Sequence, residues 1–216
     1  MSAPLLNPAA PLEFWFEFGS NYSYPSVMRI EALAQRHGVT VVWKPFLLGP
    51  VFRSLGWQTS PFVAQREKGA YVWRDMERLC ERYALPWRRP SAFPRRALLP
   101  MRVALLGADQ PWMGKYCRRM MLLNFAEDRE IDTPAAVAQV LEGIGLASEP
   151  WIEAAQSALN KERLRRQTER ARERGIFGAP TFFAGDEMFW GNDRLEDALV
   201  WAARSRGWGG NVASAG

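Results

Sequence analysis

At 216 residues the chain is long enough to bury a core as one domain, or as one domain carrying a large insertion. Its 48% hydrophobic and 24% charged residues suit a globular protein rather than a disordered one, and no apolar run approaches the ~20 residues of a membrane-spanning helix. A net charge of +5 allows anionic partners, while a single histidine and two widely separated cysteines argue against a zinc site or a Ser-His-Asp relay, so no metal is expected.

Residues 1–11 lack the basic start and long apolar stretch of a secretory signal, which leaves a cytoplasmic location as the default expectation. Residues 14–18 (Phe-Trp-Phe-Glu-Phe) carry aromatics at every position but Glu17 and predict a strand buried on both faces. A helix is predicted from Ser20–Ser23 to His37, with Val27, Ile30, Leu33 and Ala34 at helical spacing and Gly38 just past its end. The β-branched run at 39–46 predicts a second strand, parallel to the first.

After Gly49-Pro50 the pattern becomes helical. Segments 61–83, 94–108, 111–127, 133–144 and 148–174 are predicted helices, punctuated by prolines and glycines. The basic stretch 161–174 interleaves acids so that Glu162 can pair with Arg166 and Arg165 with Glu169, which is exposed-helix patterning and not a nucleic-acid stripe. Two short strands at 181–184 and 187–190 flank the turn-like Gly185-Asp186. Asn192-Asp193 is then expected to cap a final helix over 194–206, ahead of a frayed tail. The expectation is an α/β fold with a small domain at 12–50 and 175–207, interrupted by a helical unit at 51–174.

Four segments carry a specific resemblance: FEFGSNYSYPS near the start, KPFLLGPVF, KGAYVWRDMERL, and GIFGAPTFF followed by MFWGNDRLEDAL. Present in this order over roughly residues 13–205, they resemble the 2-hydroxychromene-2-carboxylate isomerases, in the DsbA-like, kappa-class glutathione transferase branch of the thioredoxin superfamily. The resemblance implies a thioredoxin fold with a large all-helical insertion, glutathione as cofactor, a small aromatic carboxylate as substrate, and a homodimer. It implies no membrane or nucleic-acid partner.

Ser20 falls at the family's active-site serine, beside the glutathione sulfur. A helix start and a charge-assisted hydrogen bond both favour a thiolate there, although Ser is also an ordinary helix cap. By resemblance, Ala179-Pro180 is the superfamily's cis-proline step, with Ala179 offering its backbone to the cysteinyl part of glutathione. Asp193, with Asn192 beside it, would face the γ-glutamyl ammonium; Lys68 would meet a carboxylate of the tripeptide. Gln58 stands where relatives often carry asparagine. Tyr22 and Phe52 are expected to wall an aromatic substrate and Lys44 to attract its carboxylate. Ser20 and Ser23 stand where thiol oxidoreductases place a Cys-x-x-Cys pair, which excludes that chemistry. Two readings compete with isomerisation: a kappa-like transferase and a non-catalytic thioredoxin-fold binding protein.

Overall fold

The computed structural model describes residues 11–204. Strand β1 (Leu12–Phe16) has large apolar side chains on both faces and so belongs in the middle of a sheet covered on both sides. It lies there: the order is β2-β1-β3-β4, with β2 (Val41–Pro45), β3 (Thr181–Ala184) and β4 (Glu187–Trp190). β1 runs parallel to β2, with Phe14 opposite Trp43, and antiparallel to β3, with Phe14 opposite Phe182. Leu12, Phe14 and Phe16 enter the main core, which takes in residues of α1 (Ser23–His37) and α10 (Leu195–Arg204). Trp15 points the other way, to a smaller cluster with Phe46, Val51, Ala171 and Phe183 beneath α2 (Leu48–Ser54) and α9 (Ala158–Glu173).

β1 ends two residues before the aromatic run does. Phe18 is fully buried, but it packs against Tyr116 beyond the sheet, and the Ser20 N–H closes a turn onto the Glu17 carbonyl at 3.1 Å. α1 starts at Ser23 and stops where Gly38 adopts φ 61°, a left-handed conformation that glycine enters at no steric cost.

Between β2 and β3 the chain is helical. Helix α2 was not expected, because Gly49-Pro50 read as a break. Proline in a first turn lacks only an N–H that has no partner within the helix, so α2 forms around it. The predicted segment 61–83 divides at Gln65, which is extended, into α3 (Pro61–Ala64) and α4 (Arg66–Arg82). Segment 148–174 divides at Ser157, whose hydroxyl accepts the Asn160 N–H and so starts α9 after α8 (Ser148–Gln156). α5 (Leu98–Leu106), α6 (Met113–Phe125) and α7 (Pro134–Gly143) complete the insertion, with α6 packed on α1 and α5 on α8. On α9 the expected Arg166–Glu162 and Arg165–Glu169 pairs form. The expected boundary between 50 and 51 falls inside α2. Among the described residues no helix is long and apolar enough to cross a membrane.

A buried polar network ties the insertion to the turn after β1. The Asn124 amide donates to the Phe18 carbonyl at 2.9 Å and accepts from Arg95 at 3.0 Å, and Arg95 is paired with Asp128 at 2.6 Å. The Arg95 guanidinium, helped by the Ser91 N–H, holds the Asp128 carboxyl down at about 2. That contribution to stability is complete above the ordinary aspartate pKa and is lost as pH falls through about 2. The network fixes the backbone from which the next residues, Gly19 and Ser20, project.

Candidate active site

A cleft of about 740 Å³ opens where the β1–α1 turn, α2, the start of α4, residues 93–98 and the approach to β3 converge. Ser20 lies at its floor, 6% exposed. Its hydroxyl donates to the Ala179 carbonyl at 2.8 Å and accepts the Ser23 N–H at 3.2 Å. The same hydroxyl thus holds the turn into α1 and lies in the cleft, and residues 159 apart in sequence meet directly. The Ala179-Pro180 bond is cis. Pro180 itself is buried behind the cleft wall, and its carbonyl takes the Gly191 N–H at 3.0 Å. A second cis step, Phe93-Pro94, was not foreseen and forms part of the opposite wall.

Tyr22, Phe52, Gln58 and Lys68 all line the cleft. The Tyr22 hydroxyl donates to Asp75 at 2.8 Å, and its ring meets Phe62 edge-on. Burial first, then the Asp75 carboxylate, push this phenol's pKa up, so it stays protonated. Gln58 and Lys68 are exposed on the cleft wall.

Three expected residues lie elsewhere. Lys44 is on β2 opposite Trp15 and pairs with Glu13 at 3.8 Å, outside the cleft, because strand alternation turns it to the Glu13 side of the sheet. Asn192 is buried and its amide oxygen accepts the Ser26 hydroxyl at 3.0 Å, tying α1 to the segment before α10. Asp193 is exposed just beyond Gly191, a cleft residue. Neither residue caps the last helix by a side-chain hydrogen bond. A 3₁₀ turn (Asn192–Arg194) leads into α10, with Gly191 ahead of it at φ 108°. That positive φ is one that L side chains rarely adopt, so it favours glycine at 191.

Sequence reasoning missed Glu17, Arg53, Phe177 and Trp190, which also line the cleft. Phe177 and Trp190 are 41% and 49% exposed with their rings 4.9 Å apart, an aromatic pair at the mouth. Gly178 lets this pair close up, since a Cβ there would lie 2.4 Å from the Trp190 indole nitrogen. Arg53 and Lys68 supply positive charge, and no ion pair engages either among the described residues. Glu17 is half-buried, and loss of solvation, partly offset by the Leu48 backbone N–H, pushes its carboxyl up to about 8. Its one sequence signal was its place as the only acid in the aromatic run 14–18. Cys80 and Cys117 are buried in α4 and α6, away from the cleft, and burial drives the Cys80 thiol to about 12 and raises Cys117 as well. Both are inert packing residues.

A sheet of this order, entered through a cis-proline that faces the N-terminus of α1, matches the model of the DSBA-like thioredoxin domain over residues 11–199. The chain belongs to that family. Within it, the chain is 30% identical over 184 residues to the 2-hydroxychromene-2-carboxylate isomerase of Pseudomonas putida, covering 85% of this chain and 90% of that one. A solved 2-hydroxychromene-2-carboxylate isomerase superposes with a TM-score of 0.80 at 28% identity, over 90% of this chain and 96% of the other. Glutathione S-transferase kappa 1 of Rattus norvegicus is more distant, 24% identical over 199 residues, covering 86% of this chain and 87% of that one. This DsbA-like protein is thus isomerase-like along most of its length, and it carries hydroxyls at Ser20, in the turn before α1, and at Ser23, the first residue of α1.

Proposed function

We propose that the chain is a glutathione-dependent cis-trans isomerase of ring-opened 2-hydroxychromene-2-carboxylate-type intermediates. The observation that carries this reading is the direct 2.8 Å contact between the Ser20 hydroxyl and the Ala179 carbonyl, on the floor of a cleft with aromatic walls and cationic sides. Bound glutathione supplies a thiolate whose reversible addition turns a conjugated double bond into a rotatable single bond. The donor set suits an anionic tripeptide: one hydroxyl, the backbone at the cis Ala179-Pro180 step, and side-chain donors at Gln58, Lys68 and Arg53.

Ser20 has a hydroxyl already spent on the Ala179 carbonyl. When a ligand N–H takes that carbonyl, as an added strand would, the hydroxyl is released to turn toward the sulfur. Tyr22 and Phe52 then bound the apolar side of the substrate, and Arg53 and Lys68 attract its carboxylate. The enzyme's work is positioning and charge stabilisation. A homodimer is expected from the same relationship, and sedimentation at micromolar concentration checks it.

Calorimetric titration with glutathione should show binding, which an inert binder of other ligands would not. Turnover of a chromene carboxylate with no net loss of glutathione identifies the isomerase. Stoichiometric loss of glutathione into a stable conjugate with a chlorodinitrobenzene acceptor, and no chromene isomerisation, would replace it with a kappa-like transferase. Asp193 offers a finer check of the γ-glutamyl anchor. Its side chain is 76% exposed and caps nothing, so Asp193→Ala should leave stability within about 0.5 kcal/mol. An exposed ion pair is worth at most ~1 kcal/mol, so glutathione should bind up to about fivefold more weakly. Unchanged affinity would remove Asp193 from the site.

A further inference from the structure

The Glu17 carboxyl sits on the cleft floor with no side chain of opposite charge against it. It is joined to Ser20 by the turn that closes β1, and it folds back over Gly19, where a Cβ would lie 3.8 Å from its Oε2. The Leu48 N–H, at the start of α2, favours its ionised form and so offsets part of the burial effect. The charged and titratable groups around the same cleft are otherwise placed. Tyr22 on the α1 side is bonded to Asp75, Arg95 to Asp128 and Asn124, and Arg96 to Asp132. Arg53 on α2 and Lys68 on α4 line the outer walls, and neither makes an ion pair or hydrogen bond with Glu17. A carboxyl kept only to hold the α2 backbone would do so as well in open water. This one is half-buried in the cleft lining, three residues before Ser20.

We infer that Glu17 is the acid–base residue of the reaction, holding a proton at its carboxyl and lending it to the substrate. The inference rests on the isomerase reading. As the carbon–sulfur bond forms, the electron pair displaced from the carbon–carbon double bond moves to the conjugated carbonyl oxygen of the substrate. The Glu17 carboxyl gives its proton to that oxygen and becomes a carboxylate, held by the Leu48 N–H. After rotation the proton returns to Glu17, the double bond re-forms, and the carbon–sulfur bond breaks. Thiolate, Glu17 proton and oxidation state are all restored. Burial leaves the carboxyl protonated at neutral pH yet able to ionise, with a pKa near the operating pH, where general acids work best.

The test is Glu17→Gln, which keeps shape and the option of donating a hydrogen bond but cannot transfer a proton. We expect turnover to fall about 100-fold or more, the typical worth of a general acid. Glutathione affinity by calorimetry should stay within about twofold. Native turnover should decline as pH rises through about 8, and that limb should vanish in the variant. Infrared or carbon-13 titration of the unliganded native protein should show a carboxyl ionising near the same pH and missing from Glu17→Gln. Native turnover and an unaltered pH profile in Glu17→Gln would overturn the inference. So would the absence of any carboxyl titrating above pH 7 in the native protein, a result that needs no variant to fold. A native protein that neither binds glutathione nor isomerises would instead defeat the isomerase reading itself, and this role with it.

Discussion

Ser20→Ala should raise the pKa of a glutathione thiol bound in the cleft by roughly one to two units. A hydrogen bond to a charged group is worth about 1.5–3 kcal/mol, and one pKa unit corresponds to ~1.4 kcal/mol. Ser20 is only 6% exposed, so water does not freely take the place of its hydroxyl. Thiolate absorbance followed against pH reads the shift directly, and turnover at neutral pH should fall tenfold or more in parallel. The same substitution removes the acceptor for the Ser23 N–H and the donor to the Ala179 carbonyl. A loss of about 1 kcal/mol in stability is therefore expected as well, as for any helix cap. Stability alone does not distinguish the two roles; the thiol pKa does. A folded Ser20→Ala protein with an unmoved thiol pKa would reduce Ser20 to a cap.

The second large effect is the dependence of stability on pH. Burial pushes the Glu17 carboxyl up to about 8 in the folded chain, from an ordinary value of 4.5. Between these two values the folded protein holds a proton that the unfolded chain has released, so stability must fall as pH rises. Below 4.5 both states are protonated and the burden is absent. It then grows by at most about 1.4 kcal/mol per pH unit and levels off above 8. The side chain is half-buried, which makes the realised slope smaller. Glu17→Gln should consequently be the more stable protein above pH 5, with a melting-temperature advantage that widens up to pH 8. Denaturant unfolding at a series of pH values would show it, and parallel curves for the two proteins would rule out a raised Glu17 pKa. A variant that gains stability while losing turnover is what a residue held in an unfavourable state for chemistry predicts.

Much of the frame was legible in local sequence. Aromatics on both sides of 14–18 marked a central strand, Gly38 marked the end of α1, and Gly185-Asp186 marked the turn between β3 and β4, where Gly185 takes φ 63°. Each of these depends on side-chain periodicity or on a backbone conformation settled within a few residues. Helix α2 escaped because one proline can end a helix or sit harmlessly in its first turn, and the choice is made by packing of Leu48 and Val51 onto Trp15. Lys44 read as a substrate contact, yet the pairing of β2 with β1 puts it beside Glu13. Asn192 read as part of the site, yet Ser26 of α1 occupies its amide.

The sequence by itself determined the four strands and the helical stretch between the second and third, the hydroxyls at 20 and 23 in place of thiols, and the Ala-Pro step at 179–180. Only the tertiary structure decided that Ser20 and Ala179 touch, that burial pushes the Glu17 carboxyl up, and that Arg53, Phe177 and Trp190 share its cleft. The difference has one physical origin. Backbone preference and hydrophobic period are properties of neighbours along the chain, whereas desolvation and hydrogen-bond partnership are set by groups that meet across the fold, 31 residues away for Leu48 and 159 for Ala179.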